Sequence, residues 1–387
     1  MAIGALIEPL FSHLPFFLAL VVRPSPYRKL FFIPILCANI WILLYGSSPV
    51  NYSRVVNIWG TSLATRVAIA SDFILLTDVQ NELRLQIDKR HISSAPLRER
   101  MSWGFRLMTT SRGIGWAHEC TTRFPPKPQN ISRWAFVVSK LLWAGYYYIL
   151  SDLEQIPLQW NFAVIRGEVG MEGLTGLFAR ATFLVYLAEV YTGMNMAYNI
   201  LAAVTVSVGL SEPRDWPAIF GYWSDAYTVG RFWGRFWHQN FRRFVTAHGK
   251  FISKNIFHLK SGTSLAWHVQ LFVAFALSGL IHLAGDYRGQ DDWTKGGTMR
   301  FFLLQAVAIS FEDVVINLAS RLGFGKTTRL SKCIGYLWVL GWWIWAVPPW
   351  TGPWAEVRIR EVGHHRQSFI LRVCQQVLGD SEGSRLL

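Results

Sequence analysis

Apolar runs alternate with polar, basic stretches along this chain, and many of the runs are long enough to cross a bilayer as helices. Crossing the hydrocarbon core takes about 20 mostly apolar residues. Runs of this kind cover Ile3–Val22, Leu30–Tyr45, Val55–Thr77, Trp134–Leu150, Leu174–Leu210, Leu265–Gly285, Met299–Ser320 and Cys333–Trp350. The run Leu174–Leu210 has Gly193 near its middle and is long enough for two helices and a tight turn. The pattern predicts an all-α fold, a polytopic transmembrane helix bundle of eight or nine spans. Val55–Thr77 fits least well, because Arg66 and Asp72 interrupt it. The first run lacks a basic leading flank and a clear cleavage site, so Ile3–Val22 reads as a retained span rather than a signal peptide. There is no internal repeat and no low-complexity run.

The chain thus reads as one integral-membrane domain over residues 1–387. It carries a basic loop at 78–133, a basic aromatic loop at 214–260 and a polar tail at 356–387. Composition agrees: hydrophobic residues are 51% and charged residues only 16%, below the roughly 25% of soluble domains. Tryptophan and tyrosine are abundant, and their rings favour the membrane–water boundary. The net charge of +14 would suit nucleic acid, but the basic residues collect in loops between apolar runs. That is the positive-inside pattern of a protein whose partner is the lipid bilayer, so no nucleic-acid partner is expected. The same rule puts Arg23–Lys29 and Asp78–Arg133 in the cytosol and Gly46–Arg54 on the luminal side, where the sequon at Asn51 would be glycosylated. The second sequon, at Asn130, would be cytosolic and idle. The four cysteines are far apart in sequence and imply neither a disulfide framework nor a metal site.

Chemistry concentrates between Phe232 and Asp286. The run Leu265–Gly285 would make a helix of about 31 Å, and His282 lies near its C-terminal end. Ser278 and Gly279, one turn earlier, would leave room beside the imidazole. Asp286, at i+4 on the same face, is placed to hold one ring nitrogen and leave the other free as a base. An ionisable group inside a span is a functional candidate by default. A histidine satisfied by a neighbouring helix has the same spacing, and both readings stand at this level. His268, about 21 Å away along the axis, reads as an interfacial or packing residue. The cluster Arg231-Phe232-Trp233-Gly234-Arg235-Phe236-Trp237-His238-Gln239 combines rings with two arginines, whose planar forks suit phosphate oxygens. Taken alone it equally describes an interfacial helix, with Arg231, Arg235, Arg242 and Arg243 on lipid headgroups. Glu312 and Asp313 lie well inside an apolar run, where carboxylates need partners. They read first as structural groups or as support for the polar end of a site. The segment Ser111–Trp116 has two glycines but neither a G-x-G-x-x-G pattern nor a Walker lysine, and the common hydrolase motifs are missing.

Together, the Phe232–Gln239 cluster and the segment Ser278-Gly279-Leu280-Ile281-His282 resemble the wax-synthase-like branch of the membrane-bound O-acyltransferases. The Arg112–Trp116 loop and the Phe311-Glu312-Asp313 helix resemble that branch in the same order, so the likeness covers about residues 100 to 350. Among these enzymes, the chain looks most like fungal acetyltransferases of terpenoid and meroterpenoid pathways. The resemblance implies acetyl-CoA as co-substrate with no permanently bound cofactor, a hydrophobic hydroxylated acceptor, and residence in the endoplasmic reticulum membrane. It assigns His282 as the catalytic histidine. His238 falls where related acyltransferases carry a second polar site residue, often asparagine.

The expected reaction is direct acetyl transfer. His282 serves as base, with His238 or the Trp237 N–H as a donor to the oxyanion. Arg235, Arg231 or Arg112 would hold the coenzyme phosphates, and Trp233 would stack on or line the coenzyme site. Two alternatives accompany it. One is a wax-ester synthase using long-chain acyl-CoA and fatty alcohol. The other is a proton-coupled transporter relaying protons through His282, Glu312 and Asp313, which would call for repeat symmetry and broken helices that the sequence does not display.

Overall fold

The computed structural model describes residues 2–46, 53–88, 90–119, 125–157, 173–290, 294, 297–354 and 370. Asn51 and, apart from residue 370, the polar tail 356–387 lie outside the described residues. Eleven longer helices follow one another among the described residues. They are α1 (Ala2–Val21), α2 (Phe32–Tyr45), α3 (Ser53–Ser71), α4 (Leu97–Thr109), α5 (Arg133–Leu153), α6 (Gly173–Thr182), α7 (Val185–Ser207), α8 (Arg242–Phe251), α9 (Ser264–Gln290), α10 (Thr298–Ala319) and α11 (Arg329–Ala346). The β-type pairing found among these residues is a single isolated bridge between Leu85 and Trp116. The all-α expectation is met.

By mutual contact the chain divides into two compact units. The first is Met1–Arg123 with Thr228–Arg329, and the second is Phe124–Tyr227 with Leu330–Leu387. In the first unit, α9 packs against α3 and α10, and small residues make the close approach possible. A Cβ on Gly60 would meet the Ala284 carbonyl at 2.6 Å, and one on Gly279 would meet Met299 Sδ at 2.7 Å. Helix α8 fills the side of α3 and α9, burying Phe244 against Ala68 and Ile281.

The described part of the basic stretch that belongs to this unit, residues 78–88 and 90–119, is folded onto the ends of these helices. In α4, Arg100, Trp103, Gly104 and Leu107 are buried at i, i+3, i+4 and i+7, the spacing of one helical face. Trp103 and Leu107 join Phe16, Leu20, Phe73 and Ile74 in one core. Its buried polar groups satisfy helix-end carbonyls, which have no partners within the helix. Gln80 Nε2 donates to the carbonyls of Leu20 and Val22, each at 2.7 Å. Arg100 donates to the Val21 carbonyl at 2.9 Å, and Arg28 to that of Thr77 at 3.1 Å. The two charges that weakened Val55–Thr77 as a span find partners: Arg66 Nη1 donates to Ser12 Oγ at 2.8 Å, and the fully buried Asp72 pairs with Arg243 at 3.1 Å. Arg243, a headgroup ligand in the interfacial-helix reading, points inward instead. It also donates to Thr77 Oγ1 and lies over the Phe73 ring.

In the second unit, α5 and α7 pack through Phe136, Val137, Ala202, Ala203 and Val206. The run Leu174–Leu210 does form two helices, but the break falls at Phe183 and Leu184, after Thr182, and Gly193 lies inside α7. A lone glycine costs a helix about 1 kcal/mol and does not end it. Among the described residues, three helices are long and apolar enough to cross a membrane: Pro26–Tyr45, Ser264–Gly289 and Thr298–Phe324. Arg329–Ala346 with Pro348–Trp354, bent by 44°, would make a fourth. Leu10–Val21 is a shorter apolar helix, and other long helices are more polar. In α7, for example, Glu189, Thr192, Asn195 and Asn199 are all buried.

Candidate active site

Three stretches distant in sequence meet in the first unit: the loop after α4, the turn before α8, and the C-terminal half of α9. The turn is the least regular of the three. Thr228 caps its start by accepting from the Arg231 N–H at 3.0 Å. One wide turn, Phe232–Phe236, then closes with the Trp237 N–H donating to the Phe232 carbonyl at 2.7 Å. Trp237 itself is extended (φ −65°, ψ 152°), which ends the helix and carries His238 away from its axis. The continuous interfacial helix that the sequence also allowed is therefore not formed. Phe232, Phe236 and Trp237 turn inward and are buried.

Two carboxamide or carboxylate side chains hold this turn. Gln239 Nε2 donates to the carbonyls of Trp233 and Trp237, and Gln239 Oε1 accepts from Arg242 Nε at 2.6 Å. Arg242 donates in turn to the Gly234 carbonyl at 2.7 Å. Glu312, buried on α10, accepts from the N–H groups of Val229 and Gly230, the latter at 2.9 Å. These N–H groups open the turn and have no intrahelical partners, and an anion is favoured there.

His238 and His282 face a common aromatic set. The His238 ring lies 5.6 Å from that of Phe241, and Phe241 lies 6.2 Å from His282. Phe302 stacks on His282 with centroids 4.8 Å apart and planes within 12°. As whole residues both histidines are half-buried. Burial pushes the His238 imidazole down to about 3, helped by the neighbouring His282 and the positive charge of Arg112, so it is neutral at pH 7. It can then accept a proton at one nitrogen and donate at the other. Trp233 meets Trp237, Phe275 and Phe302 at 5.8, 5.8 and 6.2 Å, and its indole N–H points to Gln305 Oε1 at 3.4 Å.

The loop after α4 closes the third side. Arg112 is buried, and its neighbour Ser111 donates to Asn240 Oδ1 at 3.2 Å. Gly113 and Gly115 have left-handed φ of 66° and 80°, which glycine adopts freely. The space where a Gly113 side chain would begin is taken by His118. His118 is pushed down to about 4, first by burial and then by Arg243, against the opposing charge of Glu119.

Of the residues singled out from sequence, His282, His238, Trp237, Trp233 and Arg112 come together. Arg231 and Arg235 lie half-buried on the same turn. Asp286 is buried one turn beyond His282, where it accepts from Asn57 Nδ2 at 3.3 Å and from Thr298 Oγ1. Ser278 donates to its own helix at Ala274, and the space beside Gly279 is filled by Met299 and Phe302. Glu312 holds the turn, and Asp313 beside it is half-buried. Phe241, Phe302 and Gln305 were missed, and Gln239 was singled out only as the end of its cluster, with no role of its own. Gln305 had a readable signal, since it is a polar residue deep in an apolar run, like Glu312. The rings had none, being indistinguishable in sequence from ordinary core.

The sequence model of the membrane bound O-acyl transferase family matches residues 216–304, which include both histidines. Acetyltransferase ple2 of Rhodocybe pseudopiperita and acetyltransferase eriL of Hericium erinaceus are each 34% identical over 340 residues, covering 87% of this chain and 87% of their own. Acetyltransferase aurG of Calcarisporium arbuscula is 30% identical over 274 residues, 67% of either chain. No solved structure matches the chain.

Proposed function

We propose that this chain, which belongs to the membrane bound O-acyl transferase family and is an acetyltransferase, moves the acetyl group of acetyl-CoA onto a hydroxyl of a terpenoid-type acceptor with His282 as general base. It is an integral membrane protein that takes an acyl-CoA donor and a hydroxylated acceptor. The observation that carries the reading is the meeting of His282, His238 and Arg112 from three separate stretches of sequence around one ring cluster.

In the reaction, His282 takes the proton of the acceptor hydroxyl as its oxygen forms a bond to the thioester carbonyl carbon. The carbonyl becomes an oxyanion, and neutral His238 or the Trp237 indole N–H donates to it. The carbon–sulfur bond then breaks, the coenzyme thiolate takes the proton held by His282, and acetate ester and free thiol leave. Arg112, with Arg231 and Arg235 on the turn, supplies positive charge for the coenzyme phosphates, and Trp233 lines the coenzyme site. Asp286 fixes the end of α9 that carries His282. A site among apolar helices admits an apolar acceptor and limits water, which would otherwise hydrolyse the thioester. We place the enzyme in the endoplasmic reticulum with eight or nine crossings and Asn51 luminal and glycosylated.

The test uses isolated membranes containing the full chain, [acetyl-14C]acetyl-CoA and a sesquiterpene alcohol. His282→Ala is expected to abolish ester formation while membrane insertion and thermal stability stay close to the parent. Undiminished product from that variant would remove the general base. Palmitoyl-CoA consumed as fast as acetyl-CoA would instead favour a long-chain donor.

A further inference from the structure

Arg242 and Arg243, two of the headgroup ligands in the interfacial-helix reading, are engaged with Gln239 and Asp72 inside the first unit. A different part of that unit carries the features of a headgroup site. Helix α8 ends at Phe251 and runs into a second wide turn, Ile252–Ile256, closed by the Phe257 N–H donating to the Ile252 carbonyl at 3.0 Å. The turn is fastened to α9. Gln270 Nε2 donates to Oγ of the buried Ser253 at 3.1 Å, and a Cβ on Gly249 would meet Gln270 at 3.2 Å. Two kinds of side chain are exposed on this fixed support. Phe251, Ile256 and Phe257 are apolar, as are Leu265 and Trp267 in the first turn of α9. Lys250, Lys254 and Lys260 alternate with them along the chain.

The lysines lack a counter-charge of their own. No aspartate or glutamate occurs in the sequence between Asp225 and Asp286, and among the described residues none of the three lysines pairs with a carboxylate. Such a patch attracts an anion from outside. The position says which one. The chain is apolar enough to span from Ser264 onward, so the rings and ammonium groups stand where that span meets water. Helix α9 runs antiparallel to α3, with Ala284 beside Gly60 and Ile281 beside Ala68. Its first turns therefore lie toward the end of α3 that leads into residues 78–88. The positive-inside rule puts this end in the cytosol, and the cytosolic leaflet carries the anionic lipids. A soluble coenzyme would use the lysines alone, and Ser264 is about 27 Å along the helix from His282. A phospholipid uses both kinds of side chain, the rings among its acyl chains and the lysines at its headgroup.

We propose that Lys250, Lys254 and Lys260, with the exposed rings between them, form a binding site for the headgroups of anionic phospholipids. The proposal stands independently of the acetyl-transfer reading, because it uses neither His238 nor His282.

The experiment places the purified full-length protein in phosphatidylcholine nanodiscs doped with lipid whose brominated acyl chains quench tryptophan on contact. The brominated lipid is phosphatidylserine in one preparation and phosphatidylcholine in the other, and Trp267 is read as the difference between the parent and Trp267→Phe. Phosphatidylserine is expected to quench Trp267 at about fivefold lower mole fraction than phosphatidylcholine. Lys250→Gln/Lys254→Gln/Lys260→Gln should remove that preference without moving the melting temperature, and Lys250→Arg/Lys254→Arg/Lys260→Arg should keep it. Equal quenching by the two lipids in the parent would overturn the proposal. So would an undiminished preference in the glutamine variant. Coenzyme A that erases the preference in the parent would assign the lysines to a soluble phosphate and overturn the lipid identity.

Discussion

His282 arrives at the site on α9, a continuous helix of 27 residues, whereas His238 arrives on a chain that leaves helical geometry at the residue before it. The first position is set by backbone periodicity and by glycine contacts with α3 and α10. The second is set by individual polar side chains: Glu312 from α10, the Gln239–Arg242 pair just after it, and Ser111 of the loop after α4, which donates to Asn240. A regular helix distributes its support over many equivalent bonds. An irregular turn concentrates support in a few polar contacts, each of which can be removed singly.

The largest effect should follow from removing Glu312. Glu312→Ala leaves the Val229 and Gly230 N–H groups without their charged acceptor in a buried place. A loss of about 3 kcal/mol in stability is expected, from two hydrogen bonds to an ionised group. With the turn released, acetyl transfer should fall at least about a hundredfold through lost alignment. Glu312→Gln keeps one acceptor oxygen and should recover part of both. Thermal unfolding in detergent and product formation, measured together, check this. A Glu312→Ala enzyme with parent-level activity would mean that the turn is held without α10.

The helix side of the comparison is sharpened by Gly279→Ala. The added Cβ would press on Met299 Sδ at 2.7 Å and approach Phe302 Cβ at 3.4 Å. Overpacking of this kind costs about 1–3 kcal/mol, and the methionine can yield, so a loss of about 2 kcal/mol is expected. Because Phe302 stacks on His282, activity should fall too, and Met299→Ala in the same chain should restore part of it. No recovery in the double variant would show that the strain acts elsewhere. A smaller effect is expected from Gln239→Ala: about tenfold in kcat, the equivalent of one lost hydrogen-bonded contact, with little change in KM for acetyl-CoA. Arg242→Ala should then add little in the same chain, since the two side chains act as one latch.

The same contrast explains what could be read from the sequence. The long apolar run around His282 exposes its helix and the depth of its histidine, because helical period and span length are local properties. Glu312 was noticed for the same reason, as a charge where apolar residues should be. Its role was not readable, since nothing local ties position 312 to the N–H groups of Val229 and Gly230. The turn at Trp237 was equally hidden. Its residues have ordinary helix preferences, and the chain leaves the helix because Gln239 and Arg242 occupy the Trp233, Gly234 and Trp237 carbonyls. Asp286 adds a second lesson: besides its i+4 spacing from His282, it accepts hydrogen bonds from Asn57 and Thr298, contacts that depend on which helices become neighbours.

The smallest expected effect concerns acid. His118 lies against Gly113 in the Arg112 loop, and its folded-state proton affinity is lowered to about 4 from an ordinary 6.5. Above about pH 6.5 it is neutral in both folded and unfolded chains and makes no difference to stability. As the pH falls below that value the unfolded chain takes up a proton that the folded chain refuses, so stability declines with falling pH. The decline levels off near pH 4, where the folded histidine is protonated as well. Between pH 7 and pH 6 the loss should be about 0.7 kcal/mol for this one group. His118→Gln removes the titration and should flatten the melting temperature over that interval by the corresponding amount. A variant with the parent's full acid sensitivity would assign the effect to another group, of which His238, lowered by the same burial and by Arg112, is the nearest in kind. Since His118 fills the space beside Gly113, loosening of this loop in acid would also release Arg112 from His238. Activity should then fall before the helices melt, making the loop rather than α9 the part that fails first.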